Sequence, residues 1–397
     1  MFFGLTPFYV IKKNKFGYAV SLYRLLQLIL FVTLTIALFI TTCYRIHTAI
    51  HFESSIPEKL KIIFILNNIS QKMSYFFLLI TRMCFNNRQI IRIFKKMKNV
   101  DAIIESRRRM EIYRKTRLRV LREITVLFVG LLIAYSGNYY IQYDGGLLFI
   151  ITGFVENLCY TMNIVIVLEH VTLVRMLMHR YKYMNDRILE YSEIEDAAEV
   201  RSHVGQYHSA SVKVFFNRNY ILPTLTNSCK KREVCSVHTL RLAYINLYDT
   251  VTLINSHFGV PVLLQIFTLM MVCVTSYYYG LHIFSNLNAN IGEVTTYLKP
   301  CMLILWTSLY GIPFVWMIMC CHEATQEVKR GLICVQRVTA CPSTKYSSVL
   351  ELQNLSHQLK HMKVEFTACG IFVLNLPLLA TIIGGIFTYI LIMVQLD

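Results

Sequence analysis

Long apolar windows alternate with polar, mostly basic connections along the chain. Seven of these windows reach the length of roughly 20 residues that an α-helix needs to cross a hydrocarbon core of about 30 Å. The second window is the weakest, because polar residues from Asn67 to Lys72 interrupt it. The pattern predicts an all-α, polytopic membrane protein with seven transmembrane helices, at Leu22–Cys43, Ile62–Phe85, Ile124–Tyr143, Leu147–Val174, Phe258–Phe284, Cys301–Cys321 and Asn375–Leu396.

Lysine and arginine are distributed unevenly between the two sets of connections. The N-terminal segment and the second connection are rich in them, with a dense run from Arg88 to Arg119. The opposite set offers only Arg45, Lys59, Lys61 and Lys299. Because positive residues concentrate on the cytoplasmic side of a membrane, we expect a cytoplasmic N-terminus and an extracellular C-terminus.

Two of the cytoplasmic stretches carry apolar residues at helical spacing. Such a stripe favours a helix that packs against partners. The two stretches are therefore predicted to extend below the membrane as a cytosolic helical bundle, within or between subunits. The first stripe is Leu240, Tyr244, Leu247, Val251, Ile254 and Phe258, and the second is Leu352, Leu355, Leu359, Met362 and Phe366.

These predictions divide the chain into seven segments. Residues 1–85 hold the N-terminal segment and spans one and two, 86–123 a basic cytosolic loop, and 124–174 spans three and four. Residues 175–257 form a cytosolic helical anchor region, and 258–321 spans five and six. Residues 322–374 hold the cytosolic helices before span seven, and 375–397 span seven.

Composition agrees with a membrane protein and limits the candidate partners. The chain of 397 residues is 55% hydrophobic and only 16% charged, where soluble domains carry about a quarter charged residues. The formal charge of +17 suits anionic lipid headgroups at the cytoplasmic face, and a nucleic-acid partner is not expected in this setting. No cofactor or metal site is expected, since the cysteines form no Cys-x-x-Cys pair and His357 and His361 lack a third ligand. Sequence motifs of hydrolases and phosphate-binding loops are absent, so an enzyme is not expected.

The outer halves of spans two to six hold more hydrogen-bonding groups than a lipid-facing surface requires. Because an ionisable group inside a span usually faces a cavity or the bundle interior, Glu156 is the leading candidate for function. The alternative for Glu156 is a hydrogen-bonded group that only locks helix packing, and for the aromatic residues it is an interfacial belt. We expect an outward-facing pocket for a small amphiphilic molecule, lined by Asn67, Gln71, Tyr139, Tyr140, Glu156, Tyr160, Tyr278, His282, Trp306 and Tyr310.

Span seven combines an apolar helix with a narrow stripe of small and uncharged polar residues. The common interpretation is close helix packing in lipid. The alternative is a pore lining, with Leu391 or Ile392 as a dewetting constriction and Gln395 near the outer end. One chain supplies one such helix, so a pore requires several subunits. The candidate pore residues are Gly384, Thr388, Tyr389, Leu391, Ile392, Gln395 and Asp397, whose carboxylates are expected to attract cations at the external mouth.

The C-terminal region resembles the signature of insect gustatory receptors, a chemoreceptor family related to insect odorant receptors. The signature is Thr-Tyr, five apolar residues and Gln-Phe, and here Thr388 and Tyr389 are followed by Gln395 and Leu396. The stretch from Phe366 to Phe372 and the approach to span five, with Asn255, Phe258 and Gly259, extend the similarity.

The resemblance implies a ligand-gated, non-selective cation channel for taste, in the plasma membrane of chemosensory neurons. It implies a homotetramer, or a heterotetramer with other gustatory receptors, in which the seventh helices line the pore and each subunit binds a small-molecule tastant. Sugar receptors of the family tend to have Glu directly after Thr-Tyr, where this chain has Ile390. A non-sugar ligand, such as a bitter compound, is therefore expected.

Two other functional classes remain as alternatives to a channel. A G-protein-coupled receptor also has seven helices, but it needs an external N-terminus, against the distribution of Lys and Arg. The sequence motifs of such receptors are also missing, since span seven has no Asn-Pro-x-x-Tyr and the inner end of span three has no Asp-Arg-Tyr. A transporter is the second alternative, although no internal repeat is apparent in the sequence.

Overall fold

A computed structural model describes residues 17–51, 58–104, 109–141, 146–207, 237–286, 294–340 and 346–395. Within these ranges the chain is almost entirely helical. Three helices precede the long central one: α1 is Gly17–His51, α2 is Glu58–Ile104 and α3 is Arg109–Ile141. The other elements are α4 (Gly146–Tyr207), α5 (Val237–Asn286), α6 (Val294–Thr339), α7 (Tyr346–His361), β1 (Thr367–Ala368), β2 (Phe372–Val373) and α8 (Leu376–Gln395).

The helices follow the apolar windows of the sequence. Each of the seven windows falls on one helix, namely α1 to α6 and α8. Three helical stretches in the described part of the chain are long and apolar enough to cross a membrane, Ile150–Glu190, Val237–Leu281 and Pro300–Ala340, and Leu376–Ile392 is a shorter apolar helix. The prediction of all-α architecture is thus confirmed apart from one short hairpin, while the number of crossings and the orientation stay predictions.

The long helices extend well past the length of a membrane span. Helix α4 has 62 residues and α5 has 50, whereas a span needs about 20. Helix α2 packs mainly along α5, and α4 packs along α6. The stripe predicted on α5 is buried along its whole length, from Leu240 at 4% exposure to Phe258 at 2%. These apolar faces build one continuous core that joins the predicted membrane and cytosolic parts.

Helix α7 presents its predicted stripe to the core, since Leu352, Leu355 and Leu359 are buried. The structure differs from the sequence prediction at the end of this stripe. Helix α7 ends at His361, so the helical position expected for Phe366 was wrong, although the side chain is buried. Spacing alone could not distinguish a continued helix from an extended segment that buries the same residue.

A two-stranded antiparallel hairpin separates α7 from α8. Thr367 pairs with Val373, and Ala368 pairs with Phe372. The turn places Cys369 and Gly370 at φ angles of 54° and 73°, a left-handed region that only glycine adopts without cost. Asn375 then caps α8, because its side-chain oxygen accepts a hydrogen bond from the Leu378 amide at 3.1 Å.

The hairpin is fixed against α5. The Asn255 side chain donates to the carbonyl of Glu365 at 2.7 Å and accepts from the Thr367 amide at 3.2 Å. One turn further along α5, Gly259 lets the hairpin approach closely, since a Cβ at this position would lie 3.0 Å from the Cys369 backbone nitrogen. The segment that leads into α8 is therefore held by contacts between its backbone and residues of α5.

Candidate functional site

Glu156 lies at the predicted outer level of α4 and forms an ion-pair cluster with two other helices. Its carboxylate accepts two hydrogen bonds from the Arg45 guanidinium of α1, at 2.9 and 2.7 Å. The ammonium group of Lys72 on α2 is 3.7 Å from Oε1 of the same carboxylate, the oxygen that also accepts from Arg45 Nε. The side chains are 14%, 17% and 7% exposed for Arg45, Glu156 and Lys72, so the cluster is largely shielded from solvent. This geometry favours the interpretation that Glu156 locks helix packing.

Asn67 and Gln71 lie next to this cluster on α2. The Gln71 amide donates to the Asn67 side-chain oxygen at 3.1 Å, and both residues are buried. Their spacing of four residues places them on one face of the helix. The polar interruption of the second window is therefore an inward-facing polar surface and not a break in the helix.

A second polar group, deeper in the bundle, was not anticipated from the sequence. The Gln265 side chain of α5 donates to the Asn163 backbone carbonyl of α4 at 2.8 Å. Ser74 of α2 donates to the Asn163 side chain at 3.4 Å. The available signal was the presence of Asn163 inside an otherwise apolar run of span four, since buried polar groups require partners.

Four aromatic side chains converge between α3, α4 and α6. Trp306 contacts Tyr135 and Tyr160, with ring centroids 5.5 and 5.0 Å apart, and Tyr160 meets Tyr310 edge-on at 5.5 Å. We call Tyr135, Tyr160, Trp306 and Tyr310 the aromatic cluster. Three of its members were predicted as ligand-binding residues, and Tyr135 joins them on α3.

Hydrogen bonding differs sharply among the members of the aromatic cluster. The Tyr135 hydroxyl donates to the Asn157 carbonyl at 2.7 Å. In contrast, the Trp306 indole nitrogen and the Tyr310 hydroxyl are buried, and neither finds a hydrogen-bond partner among the described residues. Buried donors are normally satisfied by protein or water. The two unpaired donors are therefore candidate hydrogen-bonding groups for a ligand or a water molecule.

The ion-pair cluster and the aromatic cluster adjoin one another. Glu156 and Tyr160 are one helical turn apart on α4, so their side chains leave the same side of this helix. Six of the ten predicted ligand-binding residues, Asn67, Gln71, Glu156, Tyr160, Trp306 and Tyr310, thus lie in these neighbouring clusters.

The other four predicted ligand-binding residues are not part of the ion-pair cluster or the aromatic cluster as the structure describes them. Tyr139 and Tyr140 on α3 are 38% and 65% exposed, as expected for an interfacial aromatic belt. Tyr278 is buried in a separate small cluster with Ile63. The side chain of His282 lies outside the described residues.

An open groove of about 610 Å³ runs between α5, α6 and α8, on another side of α6 from the aromatic cluster. Its walls include Tyr277 and Gly280 of α5, Thr307 and Ser308 of α6, and Phe387 of α8. The nine predicted ligand-binding residues whose side chains the structure describes do not contribute to its lining. In the described ranges, no group of three or more His, Cys, Asp or Glu residues is placed to hold a metal ion.

Helix α8 has one face turned inward and a broad face exposed. Ile382 and Ile390 are buried against the rest of the chain, at 5% and 9% exposure. The predicted pore residues lie on the open side, with Gly384, Thr388 and Gln395 exposed and Tyr389, Leu391 and Ile392 exposed at 54%, 60% and 44%. The Thr388 hydroxyl donates to the Gly384 carbonyl of its own helix at 2.9 Å. Asp397 lies outside the described residues.

Comparison with solved structures identifies related folds. The chain is similar to the insect olfactory receptor OR5 from Machilis hrabei in complex with eugenol, with a TM-score of 0.58, 12% identity, and coverage of 97% of this chain and 93% of the other. A second structure of the same receptor gives a TM-score of 0.57 at 11% identity, with the same coverage. At this identity the likeness shows a shared fold.

Comparison of sequences is more direct. A Drosophila melanogaster protein assigned by name to the gustatory receptors, gustatory receptor 2a, is 22% identical over 173 residues. That alignment covers 39% of this chain and 40% of the length of the relative. Residues 1–397 match the sequence profile of the family described as 7tm Chemosensory receptor. The chain belongs to the 7tm chemosensory receptor family, the insect gustatory and olfactory receptors.

Proposed function

We propose that the chain is a gustatory receptor that acts as one subunit of a ligand-gated, non-selective cation channel. The proposal rests on the exposed face of α8, which carries small and uncharged polar residues. A helix apolar enough for a membrane leaves Gly384, Thr388 and Gln395 on the open side, away from the core of its own chain. Small and uncharged polar groups along one line suit water and ions better than they suit lipid.

A pore of this kind requires several copies of the chain. One chain contributes a single α8, and its buried residues Ile382 and Ile390 already define which side faces its own subunit. The family resemblance implies four subunits, as a homotetramer or a heterotetramer with other gustatory receptors. Leu391 and Ile392 then supply the apolar constriction, and Thr388 and Gln395 supply the polar lining.

The ligand is proposed to bind in the aromatic cluster. Tyr160, Trp306 and Tyr310 provide aromatic walls, and the unpaired Trp306 and Tyr310 donors provide two hydrogen bonds. Such a site fits a small amphiphilic molecule with an aromatic or apolar body and one or two acceptor oxygens. The absence of Glu after Tyr389 favours a non-sugar tastant, for example a bitter compound.

Expression of the chain alone in a cell without other chemoreceptors tests the channel directly. We expect ligand-evoked cation currents during perfusion with a broad panel of tastants, including aromatic bitter compounds and sugars. A transporter moves a fixed number of ions in each transport cycle, so currents far larger than such cycles can carry exclude a transporter. Currents that persist when G-protein signalling is blocked exclude a G-protein-coupled receptor. Responses that appear only after a second receptor is added would indicate the heteromeric form.

The proposed orientation has its own test. Helix α7 carries the sequence Asn354-Leu355-Ser356, which is a glycosylation acceptor only on the external side of the membrane. With the N-terminus in the cytoplasm, Asn354 stays unmodified, and an epitope at the C-terminus is reached by antibody on intact cells. Sugar attached to native Asn354, or a C-terminal epitope detected only after permeabilisation, would contradict this orientation.

A further inference from the structure

Basic residues from two separate helices meet where α3 lies against α4. The Arg175–Glu123 ion pair, at 2.7 Å, joins α4 to α3 at this point. Arg119 precedes Glu123 by one turn on α3, and His179, Arg180 and Lys182 follow Arg175 within two turns on α4, so these basic residues lie at the same end of the contact. Arg119 is on α3 and the others are on α4, so about 60 residues of chain separate the contributors. This convergence is a product of the fold and not of one basic stretch of sequence.

The two arginines of α4 in this group already have acidic partners. Arg175 forms an ion pair with Glu123 at 2.7 Å and also lies 4.2 Å from the ring centre of Trp316. Arg180 forms a two-pronged pair with Asp101, at 2.9 and 2.8 Å. These two positive charges are therefore matched inside the protein.

Arg119 and Lys182 differ from them. Both side chains are exposed, and neither forms an ion pair with a carboxylate in the part of the chain that the structure describes. Arg122, also exposed, follows Arg119 by three residues and so lies on the same side of α3. Among the residues that the structure describes, Arg119, Arg122 and Lys182 therefore leave a net positive charge at this point.

An exposed apolar surface of α3 begins at the same point. Leu118 and Leu121 alternate with the arginines and are 57% and 58% exposed, and Val126 and Phe128 continue this surface at 66% and 58%. Exposed side chains of this kind suit contact with acyl chains. The positive side chains lie next to an exposed apolar surface. This arrangement suits an anionic lipid, because its headgroup can contact the positive side chains while its acyl chains contact the apolar ones.

We propose that Arg119, His179 and Lys182 form a binding site for the phosphorylated headgroup of an anionic membrane lipid. The exposed cations Arg119, Arg122 and Lys182 favour headgroups with more than one phosphate, such as polyphosphorylated inositol lipids, over singly charged ones. On the orientation proposed above, the site faces the cytoplasmic leaflet. Through the Arg175–Glu123 pair and Trp316, the bound lipid would brace α3 against α4 and α6, the helices that carry the aromatic cluster.

Lipid binding to the purified full-length receptor tests this site without any need for a tastant. Native mass spectrometry in detergent measures the apparent affinity for phosphatidylinositol 4,5-bisphosphate and for phosphatidylcholine. We expect clear retention of the bisphosphate lipid by the unaltered receptor. At about 1 kcal/mol per basic residue near the surface, R119Q or K182Q alone weakens binding about 5-fold, and the double variant about 30-fold.

Two further variants serve as controls. The double variant K329Q/K360Q removes two exposed charges from α6 and α7, away from the site, and should leave the affinity within about 2-fold of the unaltered receptor. The double variant R119K/K182R keeps both charges and should bind within about 3-fold. Equal retention of the two lipids by the unaltered receptor, or equal weakening in R119Q/K182Q and K329Q/K360Q, would overturn the proposal. Size-exclusion profiles establish that each variant is folded.

Discussion

The Asn255 side chain holds the backbone of Thr367, with 3.2 Å between Oδ1 and the Thr367 amide nitrogen. The same side chain donates to the Glu365 carbonyl at 2.7 Å, so one residue of α5 bonds the backbone at two positions, one just before β1 and one at its first residue. Because the hairpin continues directly into α8, this contact couples α5 to the proposed pore helix. Residues by which the sequence resembles gustatory receptors are therefore in physical contact.

Asn255→Ala should loosen the hairpin. It removes two hydrogen bonds, each worth about 1 kcal/mol when partly exposed, so we expect a loss of about 1 to 2 kcal/mol and a melting temperature lower by a few degrees. Thermal unfolding of the purified receptor measures the effect. Asn246→Ala is a matched control on the same helix, because the Asn246 side chain donates only to the Leu242 carbonyl of α5 itself. Equal losses in both variants would show that the hairpin contact is not important for stability.

Gly259→Ala should displace the hairpin. The added methyl carbon would lie 3.0 Å from the Cys369 backbone nitrogen and 3.3 Å from its Cα, and backbone atoms cannot rotate away as a side chain does. We expect a loss of about 1 to 3 kcal/mol and altered channel opening. Gly153→Ala provides the comparison, since a methyl group at Gly153 meets no atom within 4 Å. In that variant, the higher helix propensity of alanine should preserve or raise the melting temperature. An unchanged melting temperature for Gly259→Ala would contradict close packing at this position.

Neutralisation of Glu156 should cost more stability than neutralisation of Arg45. In Arg45→Gln, the Glu156 carboxylate keeps Lys72, whereas Glu156→Gln leaves two shielded cations facing each other. Removal of one partner from a buried pair typically costs about 3 to 5 kcal/mol. We therefore expect Glu156→Gln to show the lower expression and the lower melting temperature. A normal melting temperature combined with a shifted tastant response would instead assign Glu156 to the ligand.

Tyr310→Phe separates ligand binding from packing. The Tyr310 hydroxyl is buried without a partner in the described structure, so its removal should leave stability unchanged or slightly higher. If the ligand accepts a hydrogen bond from it, the half-maximal concentration should rise about 5-fold for tastants with an acceptor oxygen. Dose-response currents measure this change.

Tyr135→Phe supplies the opposite control in the same aromatic cluster. The Tyr135 hydroxyl is already bonded to the Asn157 carbonyl, so its loss should lower stability by about 1 kcal/mol with little effect on the ligand. The proposed ligand site fails if the two variants change the tastant response equally.

The sequence predicted helices well and contacts between them poorly. Apolar windows marked every helix that carries a proposed span, and the stripe from Leu240 to Phe258 identified the buried face of α5. Burial follows from local periodicity, which is why these predictions were confirmed. The hairpin at 367–373 was not anticipated, because two paired strands of two residues leave no periodic pattern.

In the candidate site, too, the sequence indicated the depth of residues along the helices but not which side chains are in contact. Residues predicted at one depth along the spans lie close together in two places: Glu156 is beside Lys72, which follows Gln71 on α2, and the rings of Tyr160, Trp306 and Tyr310 are in contact. Their role in ligand binding stays a prediction. Depth does not fix rotation about the helix axis, which explains why Tyr139 and Tyr140 face outward. The partner of Glu156 also could not be read from the sequence, because Arg45 is 111 residues away and other basic residues lie at the same level.

If the open face of α8 lines a cation pathway, a cysteine in place of Thr388 is reached by water-soluble reagents when the channel is open. A Thr388→Cys receptor is activated by its tastant and exposed to a small, positively charged, membrane-impermeant thiol reagent from the external side. We expect rapid and irreversible loss of current, with no loss in Ile382→Cys, whose side chain is buried, or in the unaltered receptor with its own exposed Cys43 and Cys301. Current that is unaffected in Thr388→Cys but blocked in Ile382→Cys would contradict this pathway.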